Sequence, residues 1–343
     1  EWAPVSYGET LQRVRSLSQA LLDMGLTPER PLAILSGNST EHLLLALAAM
    51  YVGIPYAPLS PAYCLISKDF GKEKVSLSGA TIALEPVVDL QGEAGALAAI
   101  ENTISLPTGA RRLTVSTPIR ELEGYEKGQW WVQDIAASQP VQFLGNVEGK
   151  SVADLCAAPG GKTMQLAKAG AKVTAVDISS RRLQRLEENL KRTHCTAQIV
   201  QTDILEWEPS EKFDAVLLDA PCSATGTIRR HPDILWNTTP DQINQLVQLQ
   251  IQLIEKAALF VKPGGILIYA NCSLFKQEGE NLIASLKTEN LTLDPIRAEE
   301  LPGLEVCING QAAFRALPHH LSIDPEEKSG MDGFFAARFI VGS

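Results

Sequence analysis

The stretch from Ser151 to Asp177 constrains this chain more than any other. Ser151-Val-Ala-Asp-Leu155 has the length and apolar content of a short buried strand, and Cys156-Ala-Ala-Pro-Gly-Gly-Lys-Thr163 is a turn of small residues. Met164–Ala169 starts a helix, Lys172–Val176 is a second strand, and Asp177 stands at its end. A strand, a glycine turn, a helix and a second strand with an acid about 20 residues beyond the turn form a βαβ unit of the nucleotide-binding kind. Gly160 and Gly161 let the backbone approach a ligand closely. An acid at the strand end can accept hydrogen bonds from both hydroxyls of a ribose. A phosphate loop would need G-x-x-x-x-G-K-[ST], and here Gly161-Lys162-Thr163 supplies only its end, with Cys156 in the first glycine's place. The dinucleotide fingerprint G-x-G-x-x-G is absent. A nucleoside without phosphates therefore fits best, and S-adenosylmethionine is such a ligand. The competing reading is a tight turn in a sheet that binds nothing.

The same rhythm continues downstream. Ser179–Thr193 reads as a helix whose Arg181, Arg182, Arg185, Lys191 and Arg192, set against Glu187 and Glu188, suit a solvated face. Ala197–Val200 is a strand ending near Asp203, and Phe213–Leu218 is another ending at Asp219. Asp154, Asp177, Asp203 and Asp219 form a series of acids at successive strand ends, where open α/β sheets bind their ligands. Any one of them alone would serve equally as a helix cap. The expected fold is α/β: a Rossmann-like, doubly wound, mostly parallel sheet, preceded by a small αβ fragment.

The six cysteines are scattered and form no C-x-x-C pair, so a zinc site is not expected. Two of them hold matching places. Cys222 lies in Asp219-Ala-Pro-Cys-Ser-Ala-Thr-Gly226, just after one strand. Cys272 lies in Tyr269-Ala-Asn-Cys-Ser273, just after the next strand, Gly265–Tyr269, which follows the Pro263-Gly264-Gly265 turn. A lone cysteine in an α/β protein is usually an inert small hydrophobe. Two at matched strand ends, on the side where a cofactor should sit, point to thiol chemistry.

Composition limits the partners. With 343 residues the chain exceeds one small domain, and its net charge of −10 argues against broad, nonspecific coating of nucleic acid while leaving room for a local basic groove. No run of about 20 uncharged apolar residues occurs, so no membrane span is expected. EWAPVSYGET has no basic region followed by an apolar one, so no secretory signal is expected either, and a cytoplasmic protein with reduced thiols follows. The missing initiator Met suggests a trimmed chain or a fragment.

The front of the chain is of a different kind. Glu9–Met24 reads as a helix stopped by Gly25, Pro31–Leu35 as a strand, and Ser39–Val52 as a helix with Ser39 as N-cap. Gly53–Pro61 is expected to break regular structure repeatedly. SYGETLQRVRSLSQALLDMGL followed by LAILSGNSTEHLLLALAAMYVGIPYAPLSPAY resembles the opening of the adenylate-forming acyl-CoA synthetases. The Ser/Thr/Gly-rich phosphate loop of that family does not follow, so ligase activity is not expected.

From about Leu106 to Phe339 the chain resembles the RNA (cytosine-5) methyltransferases of the RsmB/Sun type, relatives of the nucleolar Nop/Sun group. The resemblance rests on Tyr125-Glu-Lys-Gly-Gln-Trp-Trp-Val-Gln-Asp134, Asp154–Thr163, Asp219–Gly226, Arg229-Arg-His-Pro-Asp-Ile-Leu-Trp236, Tyr269–Ser273 with Glu278-Gly-Glu-Asn281, and Asp332-Gly-Phe-Phe-Ala-Ala-Arg-Phe339. It implies why two thiols are wanted. Cytosine C5 is a weak nucleophile until a thiolate adds to C6, and the adduct must later be undone. The spacing of the residues leaves open which cysteine attacks. The resemblance assigns attack to Cys272, release to Cys222, and the cytosine N3/N4 edge to Asp219. It places Cys156, Ala157, Ala158, Pro159, Gly160, Gly161, Lys162, Asp177, Arg182, Asp203 and Asp219 around S-adenosylmethionine. Asn271 departs from the Thr usual before the second cysteine.

Arg229, Arg230 and His231 form a basic cluster expected to meet RNA phosphates. Arg111, Arg112 and the Trp130–Trp131 pair would extend that surface or, for the tryptophans, pack. Ribosomal small-subunit RNA is the implied partner, with transfer RNA or a noncatalytic RNA- or cofactor-binding role as alternatives. No metal and no membrane are implied. Relatives of this type carry a helical NusB-like domain where this chain shows the synthetase-like segment. The domain reading is a synthetase-like fragment over 1–67, a seam over 68–103, an RNA-binding extension over 104–145 and a catalytic domain over 146–343.

Overall fold

A computed structural model describes residues 7–23, 32–35, 44, 47–49, 52, 56–59, 74–77, 80–83, 87–115, 117–231, 234 and 238–342. The larger part of the chain, from Ser151 to Val341, is built on one mixed sheet. Its strands are β1 (Ser151–Leu155), β2 (Lys172–Asp177), β3 (Gln198–Gln201), β4 (Phe213–Asp219), β5 (Val261–Asn271), β6 (Leu291–Asp294), β7 (Phe314–Ala316) and β8 (Phe334–Val341). The helices around it are α1 (Ile135–Gln142), α2 (Gly161–Lys168), α3 (Ser180–Thr193), α4 (Pro240–Leu259) and the short α5 (Glu280–Ser285).

The strand order is β3-β2-β1-β4-β5-β8-β6, with β7 also paired to β8. β1 to β5 run parallel, and β8 runs antiparallel between β5 and β6. Parallel strands covered on both faces read as continuous apolar runs, as Val152 to Leu155 and Ala215 to Leu218 do apart from Asp154. Alternation sends Val152, Leu217 and Ile268 to a face packed with Phe143 and Phe314. Leu155, Val216, Leu218 and Leu267 go to the other face, against Ile254 and Ala257 of α4. The Pro263-Gly264-Gly265 turn is absorbed into β5, where the register against β4 jumps from Phe213↔Val261 to Ala215↔Ile266.

Winding runs outward from β1 to β3, then returns to β4 beside β1. That reversal opens a crevice past the carboxyl ends of β1 and β4. Register fixes what faces it. Leu218 pairs with Leu155 and Asp219 pairs with Ala270, so the loops bearing Cys156, Cys222 and Cys272 leave adjacent strands side by side.

Ahead of the main sheet, four antiparallel strands join in the order Thr103–Ser105, Arg111–Leu113, Asp89–Gly92, Trp130–Val132. The boundary expected between 103 and 104 thus cuts through a single sheet. Asp89–Gly92 belongs with the extension because it is the strand that bridges Arg111–Leu113 and Trp130–Val132.

At the front, the helix spans Tyr7–Asp23, and its Val14 and Leu21 pack with Leu44, Ala48 and Ala49. Met24, Pro31 and most of 39–52 lie outside the described residues. Leu32–Leu35 is a strand as expected. The expectation for Gly53–Pro61 is corrected: Tyr56–Leu59 is a strand parallel to Leu32–Leu35, with Pro58 opposite Ile34. In a two-stranded sheet every strand is an edge, where a proline's missing N–H is tolerated.

Candidate active site

The turn after β1 is shaped by its backbone. Cys156 has φ +58° and Gly160 has φ +103°, and Gly160 caps the start of α2. A side chain at Gly160 would be strained by that angle and would also press on Leu186 at 3.1 Å. The turn is stitched to β2 by the Ala157 amide donating to the Val176 carbonyl at 3.1 Å and the Ala158 amide donating to Asp177 Oδ2 at 3.2 Å. Asn189 Nδ2 donates to the Pro159 carbonyl at 3.0 Å, and an Arg182 guanidinium nitrogen donates to the Ala158 carbonyl.

Asp177, Asp203 and Asp219 stand at or just past the ends of β2, β3 and β4. Asp177 Oδ1 accepts from the Ser179 amide at 2.9 Å and Asp203 Oδ1 from the Leu205 amide at 2.9 Å, so both also cap their own turns. The half-exposed Arg182 covers Asp177 at 3.5 Å. Beside Asp177, Ile178 is 64% exposed. An apolar side chain bared next to an acid that has lone pairs to spare suits the face of a purine above a ribose. This donor set fits an adenosyl group. Sequence reasoning passed over Ile178, although its place after the strand-end acid was visible.

Asp154 is not a crevice residue, which corrects its place in the acid series. It is fully buried beneath the turn and accepts from the Thr163 hydroxyl at 2.6 Å, while Oδ1 meets no hydrogen-bond partner. Burial pushes its carboxyl up to about 7, against the opposing pull of Thr163 and Lys162. Cys156 is inert for the same reason: burial, then the nearby acids, push its thiol up to about 12.

The two matched cysteines meet. Cys222 Sγ and Cys272 Sγ are 3.5 Å apart. The hydrogen bond to Cys272, with burial and the charges of Cys272 and Glu278, pushes the Cys222 thiol well above the usual range. Lys162 and Arg230 interact electrostatically with Cys272 instead. Lys162 Nζ donates to Asp219 Oδ2 at 2.8 Å and sits 5.0 Å from the Phe334 ring centroid. Burial lowers the affinity of that ammonium for its proton, but Asp219 more than offsets this, and the net shift is upward. Lys162 therefore reaches from the glycine turn toward the sulfurs, joining the two halves of the crevice.

The basic cluster divides. Arg230 pairs with Asp332 at 2.5 Å and is half-exposed, and His231 is exposed. Arg229 is corrected: only 3% exposed, it donates to the Ser329 carbonyl at 3.0 Å and presents no guanidinium to a phosphate. Arg112 is corrected likewise. It is buried in a bidentate pair with Asp89 at 2.6 and 2.9 Å, and it also donates to the Lys328 and Gly330 carbonyls. Trp130 and Trp131 are buried, so they pack; Arg111 is half-buried. Among the described residues no group of three His, Cys, Asp or Glu side chains is placed to hold a metal ion, and no helix is long and apolar enough to cross a membrane.

Comparison with known proteins gives the site a context. The sequence profile of the 16S rRNA methyltransferase RsmB/F family matches residues 141–340, and that of the AMP-binding enzymes matches residues 1–75. A ribosomal RNA small subunit methyltransferase B from Enterobacter sp. (strain 638) is 42% identical over 203 residues, covering 57% of this chain and 47% of that protein. The chain thus spans about half the length of the curated relatives it matches. Among solved structures, PH0851 superimposes with a TM-score of 0.63 at 28% identity, covering 75% of this chain and 60% of the other. NSun6 from Pyrococcus horikoshii, solved with SFG, gives a TM-score of 0.56 at 27% identity, covering 66% and 57%.

Proposed function

Since the chain belongs to the 16S rRNA methyltransferase RsmB/F family, we propose that it methylates C5 of a cytosine in RNA, with small-subunit ribosomal RNA as substrate and the cytoplasm as its place of work. The observation that carries this reading is the pair of sulfurs 3.5 Å apart at the ends of β4 and β5, beside the glycine turn. The cofactor of this fold family is S-adenosylmethionine. Held by the turn 156–161, Asp177, Arg182 and Asp203, it supplies an electrophilic methyl group.

Every other part of the reaction falls to side chains. Cys272 attacks C6 as a thiolate, faced by Lys162 and Arg230, and forms the C6–S bond. The displaced π electrons reach C5 and make it nucleophilic. Asp219 accepts from the exocyclic amine and so holds the N3/N4 edge of the base in place. In release, the C5 proton leaves to solvent and the C6–S electrons return to the Cys272 sulfur. Cys222 is assigned to this step because its sulfur stands 3.5 Å from the departing one. A target base held in a stem must first turn out of its stack. Arg230 and His231 supply the local positive charge for the RNA backbone on an otherwise acidic protein.

The test is transfer of labelled methyl from S-adenosylmethionine to small-subunit ribosomal RNA and, separately, to transfer RNA, followed by mapping of the product base. Label at C5 of cytosine in ribosomal RNA supports the reading. Label confined to transfer RNA moves the substrate, and no label in either leaves only a binding role.

A further inference from the structure

The two cysteine-bearing loops share one anchor. Each cysteine is followed directly by a serine, Cys222-Ser223 and Cys272-Ser273, and both serines point at the same buried side chain. Glu278 is 0% exposed. Its Oε1 accepts from the Ser223 amide at 2.9 Å and from Gln250 Nε2 of α4 at 2.9 Å. Its Oε2 accepts from the Ser223 hydroxyl at 2.5 Å and the Ser273 hydroxyl at 2.5 Å. The Glu278 main-chain carbonyl accepts from Tyr269 Oη and Asn271 Nδ2, both at 2.7 Å, which ties it to the end of β5. Burying a carboxylate is costly unless donors surround it, and here two of the four donors come from Ser223 and one from Ser273.

We propose that Glu278 is the positioning residue of the thiol pair: its carboxylate clamps the two Cys-Ser dipeptides together and so fixes the separation and the division of labour of the two sulfurs. The proposal rests on the methyltransferase reading above, which uses both sulfurs but gives Glu278 no part. A merely structural buried acid could be satisfied by any four donors. This one takes three from the residues immediately following the reacting pair. The groups facing Cys222 are Cys272, Glu278 and Tyr269, and those facing Cys272 are Cys222, Lys162 and Arg230. Glu278 is thus on the side that keeps Cys222 a thiol, whereas the cations are on the side of Cys272.

The test needs neither RNA nor cofactor for its first arm. The full chain and its Glu278→Gln variant are alkylated with iodoacetamide across a pH series, and Cys222, Cys272 and, as internal reference, Cys195 are followed by peptide mass spectrometry. Glutamine keeps the volume but turns an amide N–H₂ toward donors. The pH midpoint of Cys222 is expected to fall by about one unit, making its alkylation about tenfold faster at a fixed pH below the midpoint, with Cys195 unchanged. In the second arm, kcat for methyl transfer falls on the order of 10²-fold while KM for RNA and cofactor holds within about twofold, as misplacement of reacting atoms demands. If Glu278→Gln does not fold, Ser223→Ala and Ser273→Ala, each removing one hydroxyl donor, decide by the same readouts. Unchanged profiles at Cys222 and Cys272 in folded variants overturn the proposal. A wild-type chain that transfers no methyl overturns the reading of function instead, and the alkylation arm still judges the clamp.

Discussion

The two halves of the crevice are built on different plans. Past β1, β2 and β3 the loops form a self-contained set tied at short range: Asp177 accepts from the Ala158 amide of the preceding turn and from the amide two residues on, and Asp203 accepts from the amide two residues on. Past β4 and β5 the loops are braced against each other. Besides the Glu278 clamp, the Gly226 amide donates to the Cys272 carbonyl at 2.8 Å, and the Leu274 amide donates to Thr225 Oγ1 at 2.9 Å. The Gly333 amide donates to the Gly226 carbonyl at 2.8 Å, and a Cβ on Gly226 would meet the Gly333 carbonyl at 1.9 Å. Self-contained loops suffice to hold a small ligand, where binding energy is spread over many weak contacts. Cross-braced loops are needed where two sulfur atoms must stay within reach of one ring.

This contrast sets the order of expected effects. Cys272→Ser should abolish both methyl transfer and adduct formation, because a serine hydroxyl is far less nucleophilic than a thiolate. Cys222→Ser should leave addition intact and stall release, so RNA remains attached through Cys272 and runs as a shifted band on a denaturing gel. If Cys222→Ser turns over normally, the division of labour is wrong; if Cys222→Ser abolishes transfer and Cys272→Ser gives the shifted band, the roles are exchanged. The cross-bracing would then still hold, but its asymmetry would have been read backwards.

The same contrast explains what the sequence disclosed. The self-contained half was legible because its signals come in one short run of chain: a strand, small residues, a helix and an acid, with the turn's hydrogen-bond partners no more than 30 positions away. The cysteines could be placed because both follow strands directly. Glu278 could not, since its role depends on Ser223, 55 positions away. Arg229-Arg-His231 looked like one basic patch because a sequence does not say which way each side chain turns. Ser329, 100 positions on, receives Arg229 and takes it out of play. Arg112 failed as a surface residue for the same reason, with one carbonyl partner 216 positions away. The strand at Tyr56–Leu59 was hidden by Pro58, since a proline forbids a central strand but not an edge.

In the self-contained half a substitution should stay local. Asp177→Ala removes a charge-assisted acceptor and should weaken S-adenosylmethionine binding by about 10- to 100-fold, as one hydrogen bond to a charged group is worth roughly 1.5–3 kcal/mol. Titration calorimetry measures this directly. The iodoacetamide profiles of Cys222 and Cys272 should not move. If they do, the two halves are coupled through the Lys162–Asp219 hydrogen bond that joins them.

The last expected effect leaves activity aside: it is on stability alone and concerns the floor of that same half. Asp154 in the folded chain binds its proton up to about 7, because burial disfavours the charge. In the unfolded chain its pKa is about 4. Below that value both states are protonated and the burial carries no penalty. Between about 4 and about 7 the unfolded chain releases its proton and the folded chain keeps it, so the wild type loses stability as pH rises, by up to about 1.4 kcal/mol per pH unit from this group. Above about 7 the loss is complete. Asp154→Asn retains an oxygen to accept from Thr163 and has no proton to lose. The variant's stability relative to wild type should therefore climb across that window and then level off, as read from urea midpoints at pH 5, 6, 7 and 8. A difference that is flat, or that falls with pH, would mean that Asp154 is ionised beneath the turn and that Lys162 is shared between it and Asp219.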